Sequence, residues 1–326
     1  YYEHVGLTNM ETYCYKIRAY NNSNSITSTS NESCQLADQP GQPQFVYLKT
    51  ATINDDNHVL LTIYTDTSAY ISEFQIMRST DLSGPFVQIG TIPGGNNEPI
   101  LNYHDYSVNV KTTSYVYHVI VIDSCDRAAL TSNNGKTILC SAEALDDLTN
   151  KISWTDYEDW QGSVFFYNIY RSIDGLPNPL PIATVPYGTN SFIDDVQNYT
   201  MTEGEFSYWI EAVEGMGNSY GFVDTSLSNQ ADAMQLPRFF VPNAISPKGL
   251  NNIFNATGVF LDSDDFTFMI FSRWGEVIFE TSDPNDYWDG KINGNWAPEG
   301  VYVYYFRFKS TQGKFFEKRG SVTVIY

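Results

Sequence analysis

One strand-like pattern recurs three times in this chain, at a spacing close to one hundred residues. Residues 13–20, 115–122 and 206–213 each carry it around a shared tyrosine. Those tyrosines, Tyr15, Tyr117 and Tyr208, are 102 and 91 residues apart, and a Ser-Asn pair follows each of them. Side chains that alternate between two faces are typical of β-strands in a half-buried sheet. The repeat therefore predicts consecutive domains of short antiparallel strands.

This repeat resembles that of fibronectin type III domains, which are β-sandwiches of about seven strands. Trp154 lies where many such sandwiches bury a tryptophan on an early strand, and Arg78 and Arg171 occupy matching places in two repeats. The predicted fold class is all-β, with tandem antiparallel β-sandwich domains of immunoglobulin or fibronectin III type in an elongated rod.

Segments rich in proline, glycine or acidic residues mark the predicted domain boundaries. They lie at residues 37–43, 141–147 and 231–237. We predict a C-terminal remnant of a fibronectin III-like domain at 1–40, two complete fibronectin III-like domains at 41–142 and 143–236, and a different domain at 237–326. Only twelve residues precede the first strand, so we expect the chain to be part of a longer protein.

The last ninety residues carry a distinct series of motifs, in which turn residues separate short alternating strands. In chain order the residues are Pro242, Asn243, Ala244, Arg273, Trp274, Gly275, Trp288, Asp289, Gly290, Gly300 and Tyr302. This series resembles the type B, gliding-motility-associated C-terminal sorting domain of Bacteroidota type IX secretion substrates. The resemblance covers residues 237–326.

The resemblance implies a function for the C-terminal domain. It would be the export signal, its partners would be the type IX translocon and an outer-membrane shuttle barrel, and the protein would be secreted to the cell surface or the extracellular space. The eleven motif residues are the predicted binding residues of the signal, and residues 237–326 are expected to suffice for export. We expect the glycines and Trp288 to serve the fold.

Alternation also predicts the packing of this domain. Tyr302, Tyr304, Phe306 and Phe308 should share one face of a strand, with Val301, Val303, Tyr305, Arg307 and Lys309 on the other. Trp274 and Trp288 are expected to cap a small core. The final strand, 321–326, is expected to offer an edge for β-augmentation.

Basic residues flank the last predicted hairpin and allow two interpretations. They form either a docking patch or a charged edge that discourages pairing between sheets. The residues concerned are Arg307, Lys309, Lys314, Lys318 and Arg319.

Charge is distributed unevenly along the chain. The formal net charge is −20, of which residues 237–326, with nine basic and ten acidic side chains, contribute only −1. The acidic remainder would be repelled by nucleic acids and by anionic membrane surfaces, so neither is predicted as a partner. No apolar run is long enough for a transmembrane segment.

Four cysteines predict an oxidising, non-cytosolic location. Cys14 and Cys34 lie in the first unit, and Cys125 and Cys140 in the second, so we predict the disulfides Cys14–Cys34 and Cys125–Cys140. No metal site is predicted, because no close cysteine pair or histidine cluster occurs and the loop 247–254 has no acidic residue for calcium.

No catalytic motif or cofactor-binding motif is present, and the four histidines are scattered. We therefore predict no enzyme and no cofactor. Three interpretations remain: the C-terminal part of a large cell-surface adhesin or gliding-motility protein, the accessory tail of a secreted hydrolase, or a module that binds an extracellular glycan through Trp160, Trp209 or Tyr220. We favour the first. The sequence upstream would distinguish it from the second, and one exposed aromatic platform would indicate the third.

Overall fold

The computed structural model describes residues 1–38, 41–95, 98–255, 257–260, 265–309 and 314–326. Strands dominate these residues, and the described part of the chain contains no α-helix, only a 3-10 turn at Gln197–Tyr199. Except for one short parallel pair, the strand pairs with assigned register are antiparallel. The predicted all-β class is confirmed.

The chain divides into two compact units. The first comprises residues 1–49, 61–103 and 115–135, and the second comprises residues 50–60, 104–114 and 136–326.

Residues 1–38 contain two short two-stranded sheets. Their strands are β1 (Glu11–Tyr15), β2 (Arg18–Tyr20), β3 (Thr27–Thr29) and β4 (Ser33–Ala37). Strand β1 pairs with β4 so that Cys14 lies directly opposite Cys34, and the two are joined by a disulfide. The first predicted disulfide is confirmed.

The described residues of the ranges 41–95 and 98–136 contain eight strands. They are β5 (Val46–Asn54), β6 (His58–Thr65), β7 (Ile71–Ser79), β8 (Val87–Pro93), β9 (Ile100–Asp105), β10 (Val116–Asp123), β11 (Ala128–Thr131) and β12 (Gly135–Lys136). One sheet has the order β5-β6-β9, and the other has the order β11-β10-β7-β8 with β12 beside β10. Two antiparallel sheets of this kind are the layers of a sandwich.

The next sandwich has the same plan. Its strands are β13 (Cys140–Ala144), β14 (Thr149–Trp154), β15 (Val164–Ile173), β16 (Leu176–Pro177), β17 (Ala183–Pro186), β18 (Ser191–Asp195), β19 (Glu205–Glu214), β20 (Thr225–Leu227) and β21 (Ala231–Met234). The sheets are β13-β14-β18 and β16-β15-β19-β20, with β17 beside β15 and β21 beside β19. Trp154 is buried in the core between them, at the position that the sequence indicates.

The repeated motif residues have structural roles. Tyr117 and Tyr208 are fully buried. After each of them, the asparagine of the Ser-Asn pair binds both backbone groups of one residue on the first strand of its own sandwich. Asn229 accepts a hydrogen bond from the Cys140 amide at 2.8 Å and donates one to the Cys140 carbonyl at 2.9 Å. Asn133 does the same with Leu48, at 2.9 and 3.1 Å. In each of these two sandwiches, the asparagine of the repeat therefore joins the segment before the last strand to the first strand.

The prediction of a Cys125–Cys140 disulfide is wrong. Both cysteines are unpaired: Cys125 is exposed and Cys140 is buried. Cys140 is on β13, opposite Trp154 of β14, and its thiol lies in the core of the later sandwich. It therefore does not belong to the domain of Cys125. The predicted boundary between residues 142 and 143 falls inside β13.

This correction gives a test by thiol labelling of the native chain. Iodoacetamide at pH 8 should modify Cys125 within minutes, because its side chain is exposed. Cys140 should react only after unfolding, because burial raises the pKa of its thiol to about 12 and so keeps it protonated. Peptide mass spectrometry without reduction measures both rates, and a Cys125–Cys140 peptide would contradict the structure.

The described residues of the C-terminal domain contain nine strands. They are β22 (Arg238–Phe240), β23 (Ala244–Ile245), β24 (Thr257–Val259), β25 (Thr267–Phe271), β26 (Val277–Thr281), β27 (Lys291–Ile292), β28 (Asn295–Trp296), β29 (Gly300–Lys309) and β30 (Phe315–Val324). The main sheet has the order β23-β30-β29-β25-β26, and the pairs β22-β24 and β27-β28 form separate two-stranded ribbons.

Candidate functional site

The core of the C-terminal domain lies against one face of β29. Tyr302, Tyr304, Phe306 and Phe308 are at most 6% exposed, and they pack with Phe268, whose ring stacks on that of Phe306 at 4.1 Å. On the other face of β29, Val301 and Val303 are exposed. The predicted division of this strand into two faces is confirmed.

Trp288 is the largest side chain in this core and is only 1% exposed. Its backbone exchanges two hydrogen bonds of 2.9 Å with Phe254, and its indole Nε1–H donates to the Lys291 carbonyl at 2.8 Å. The ring lies 5.5 Å from that of Tyr302. Trp288 therefore holds the fold together, as the sequence indicates.

The two residues after Trp288 shape the turn that positions it. The Asp289 carboxylate accepts hydrogen bonds from the Lys291 amide at 3.0 Å and from its ammonium at 2.6 Å, and these bonds lower the pKa of Asp289. Gly290 has φ +79°, and a Cβ there would clash with the ring of Pro247. A side chain is excluded at residue 290 both by conformation and by space.

The Arg-Trp-Gly motif forms the hairpin turn between β25 and β26. Gly275 has φ +82° and donates its amide to the Ser272 carbonyl at 3.0 Å, which closes the turn. Trp274 is 87% exposed. The expectation that Trp274 caps the core is wrong, because the turn carries its ring past the end of the sheet and into solvent.

Arg273 lies close to residues 298–302, which read Pro-Glu-Gly-Val-Tyr and include the motif residues Gly300 and Tyr302. Its side chain is exposed, and its Nη2 would lie 3.3 Å from a Cβ built at Gly300. Burial raises the pKa of the Tyr302 phenol, and the nearby Arg273 charge opposes that rise. The Tyr302 hydroxyl donates to the Pro298 carbonyl at 2.9 Å. Motifs that are 27 residues apart in sequence thus meet at one end of the sheet.

The Pro-Asn-Ala motif, with Pro242 partly buried, begins a strand that covers the end of β30. Ala244 lies opposite Thr323 in the parallel pair, and the Asn243 carbonyl accepts the Thr323 amide at 2.9 Å. Ile325 donates to the Ile245 carbonyl at 3.0 Å. The expectation of an open edge at 321–326 is therefore wrong for residues 323–325, where β23 already supplies the neighbouring strand.

The described basic residues near the last hairpin do not share one face. Arg319 lies opposite Tyr305 on the outer face, whereas Lys318 lies opposite the buried Phe306 and places its ammonium 5.2 Å from the ring of Phe239. Arg319 also lies 3.8 Å from the Glu317 carboxylate. A single docking patch made of all five predicted residues is therefore not formed.

An apolar surface lies on the outer face of the main sheet. Strand register places Phe271 opposite Val303, and Met269 opposite Tyr305, which in turn lies opposite Arg319. These residues line a shallow depression of about 410 Å³. The depression thus spans β25, β29 and β30, and β25 leads into the Arg-Trp-Gly turn.

One contact group in this domain was missed by sequence reasoning. Lys248 lies over the ring of Tyr326 at 4.7 Å, and Lys291 lies over Trp296 at 4.8 Å. The Tyr326 hydroxyl donates to the Ala297 carbonyl at 2.6 Å. The only sequence signal was an aromatic residue at the end of the alternating strand.

The three aromatic residues do not together form the single exposed platform that would indicate the glycan-binding interpretation. Trp160 is 5% exposed and packs against Tyr157 in the sandwich core, so it cannot contribute to an exposed surface. Trp209 stacks on Tyr170 at 5.4 Å, on the solvent face of its sheet. Tyr220 is partly buried, with its ring 6.3 Å from that of Phe222.

In the described residues, one group has the spacing of metal ligands, namely Cys14, Glu32 and Cys34. Its two sulfur atoms are bonded to each other in the disulfide and are not thiolates, so this arrangement does not offer the ligands that a metal ion needs.

Comparison with known proteins gives one family match. Residues 239–324 match the CHU_C type IX secretion signal domain. This signal indicates interaction with the secretion system and export across the outer membrane, to the cell surface or the extracellular space. No helix in the described ranges is long and apolar enough to cross a membrane.

Two solved structures are similar to the chain at low identity. One is a tetra-tandem repeat in the extending region of a large adhesion protein, with 14% identity, 96% of this chain and 81% of that chain covered, and a TM-score of 0.31. The other comprises the FN1–FN3 domains of chicken CNTN1, with 12% identity, coverage of 88% and 99%, and a TM-score of 0.23. No curated protein matches the chain.

Proposed function

We propose that this chain is the C-terminal part of a large cell-surface adhesin or gliding-motility protein. Its last domain is a type B sorting signal, and the upstream sandwiches have no catalytic role. The partners of the signal are the type IX translocon and an outer-membrane shuttle barrel. The match of residues 239–324 to a type IX secretion signal domain supports the proposal, and so do the antiparallel sandwiches that precede it.

The family match is the single observation that carries the assignment of the last domain as a signal, and a contrast between two motif tryptophans indicates which of its residues meet the export machinery. Trp288 is 1% exposed and Trp274 is 87% exposed. A buried tryptophan is explained by the fold, whereas a tryptophan at a turn tip gains no burial in the folded chain. Tryptophan and arginine are the residues most often found at the energetic centre of protein interfaces. Trp274 and its neighbour Arg273 are therefore the residues that the export machinery contacts.

The outer sheet face extends this surface. Met269 and Phe271, which line the depression together with Val303, lie on β25, the strand that leads into the turn of Trp274. Apolar side chains beside an exposed tryptophan provide the dry contact area that a central anchor needs. We infer that the shuttle barrel covers the turn and this face together, while the Trp288 turn holds the surface in place.

Export of the full chain from a type IX-competent cell tests this division. Trp274→Ala should reduce the exported fraction about tenfold or more, the loss expected for an interface anchor. Leu250→Ala is the matched control, because Leu250 is also fully exposed in the same domain and lies in no sorting motif. Arg273→Ala should reduce export less, and all three purified chains should have the same melting temperature.

Two results would contradict the proposal. If a chain truncated after residue 236 is exported as well as the full chain, the last domain is not the signal. If Trp274→Ala is exported normally while its melting temperature is unchanged, the machinery does not contact this turn. For the adhesin assignment, the decisive observation is the upstream sequence, where a catalytic motif in place of further β repeats would favour the hydrolase tail.

A further inference from the structure

Phe260 belongs to the C-terminal domain by sequence but lies in the core of the sandwich before it. It is 1% exposed and packs among the core residues of that sandwich, with its ring perpendicular to that of Phe206 at 6.1 Å. Its amide donates to the Thr200 carbonyl at 2.7 Å. The core of the C-terminal domain itself does not include Phe260.

The backbone of Phe260 shows that this position is imposed by its surroundings. Its φ is +56°, in the left-handed region that a bulky side chain rarely occupies. Such a conformation persists only where neighbouring contacts outweigh its cost. Here the compensating contact is burial of the aromatic ring among the core residues of the preceding sandwich.

Gly204 of the sandwich lies directly beside the side chain of Phe260. That glycine has φ +82°, and a Cβ there would lie 3.1 Å from Cβ of Phe260 and 2.8 Å from the Gln235 carbonyl oxygen. A side chain at residue 204 would therefore push against Phe260. A residue of one domain thus leaves room for a residue of the next.

The ribbon of β22 and β24 makes a second attachment. Arg238 on β22 lies opposite Val259 on β24. Its guanidinium donates to the Asp146 carbonyl and, at 3.2 Å, to the Asp146 carboxylate. Val259 packs against the same core as Phe260. Both strands of the ribbon thus contact the sandwich, β22 through the polar contact of Arg238 and β24 through the apolar contact of Val259.

We propose that the sandwich of residues 138–235 and the C-terminal domain fold as one cooperative unit, with Phe260 as the coupling residue. The interaction surface is a socket formed by Thr200, Gly204 and Phe206, and its ligand is the side chain of Phe260. The coupling itself does not depend on the proposed function, but its consequence for export rests on it. If the last domain is a sorting signal, it is fully ordered only when the sandwich beside it is folded. The functional signal then begins near residue 138, rather than at residue 237.

Hydrogen exchange on the purified full chain tests the coupling. Phe260→Ala should speed exchange of the Gln235 amide, which donates to the Gly204 carbonyl at 3.0 Å, and of residues 199–206 by about tenfold or more. The same variant should speed exchange in β22. The matched control is Phe240→Ala, on the partner strand of the same ribbon, because Phe240 is 69% exposed. It should leave the sandwich unchanged.

The outcomes separate cleanly. Faster exchange confined to residues 237–326 in Phe260→Ala, or equal effects of the two alanine variants on the sandwich, would overturn the coupling. If Phe260→Ala does not fold, Phe260→Leu should fold and show an intermediate loss of protection at Gln235, and unchanged protection there would likewise overturn the proposal. Exchange is measured without secretion, so a failure of the export assay would contradict the proposed function and leave this result standing.

Discussion

Replacement of Trp288 by alanine is expected to lower the free energy of unfolding of the unit that contains the C-terminal domain by about 3–5 kcal/mol, the range for a large aromatic residue removed from a core. Trp288 is the largest of the fully buried side chains, and its loss leaves a cavity beside Tyr302. It also leaves the Lys291 carbonyl without the indole donor at 2.8 Å. A loss of this size approaches the whole stability of a small domain.

The effect is measured by urea unfolding of the full chain, with hydrogen exchange in β25 and β29 used to assign the transition. Trp274→Ala is the matched control, because it removes the same side chain from an exposed turn. Its unfolding free energy should change by no more than about 0.5 kcal/mol. Equal losses in the two variants would contradict the assignment of Trp288 to the fold and of Trp274 to recognition.

Local alternation predicted much of this structure. It placed Tyr302, Tyr304, Phe306 and Phe308 on the buried face of β29, because a strand's side chains alternate whatever its neighbours are. The repeat likewise indicated that Tyr117 and Tyr208 have equivalent places, and both are buried. These features depend on the period of the chain and on a buried face, and both are visible in sequence.

Features that depend on distant partners were not predictable in this way. Residues 323–325 are covered by β23, which lies nearly eighty residues earlier in the chain and pairs in parallel. Cys140 packs in the core of a sandwich whose first strand it begins, and its spacing from Cys125 does not reveal this. Trp274 and Trp288 both lie beside turn glycines, yet only one turn is folded back onto the core.

Phe260 shows the same limit at the level of domains. Composition indicates a boundary near residue 237, and the family match begins at residue 239. Neither signal reveals that a phenylalanine some twenty residues later packs in the preceding core. Gly204 leaves room for Phe260, but its positive φ and the nearby Gln235 carbonyl oxygen also favour glycine there, so this glycine alone does not reveal the packing.

The buried ion pair between Arg171 and Asp194 leads to the second large effect. Their atoms are 2.7 Å apart, and the side chains are 6% and 9% exposed. The Tyr208 hydroxyl also donates to the Asp194 carboxylate at 2.7 Å, and burial, together with the Asp194 charge, raises the pKa of that phenol. Sequence comparison of the repeats had singled out Arg171, but not its partner.

Asp194→Ala should lower the free energy of unfolding of this sandwich by about 3–5 kcal/mol, because it leaves the Arg171 guanidinium charged and buried without its partner. The matched control is Glu158→Ala. Glu158 pairs with Lys136 at the same distance of 2.7 Å, but the side chains of Lys136 and Glu158 are 21% and 32% exposed. Loss of the Glu158 carboxylate should therefore cost only about 0–1 kcal/mol. Urea unfolding of both variants in the full chain measures the difference.

Arg171→Met combined with Asp194→Leu removes both charges and should recover most of the stability lost in Asp194→Ala, since replacing a whole buried pair by apolar residues is often neutral. If Asp194→Ala loses no more stability than Glu158→Ala, burial does not decide the strength of this pair. If the double variant is as unstable as Asp194→Ala, the loss comes from the bonds to Tyr208 and not from the unpaired charge.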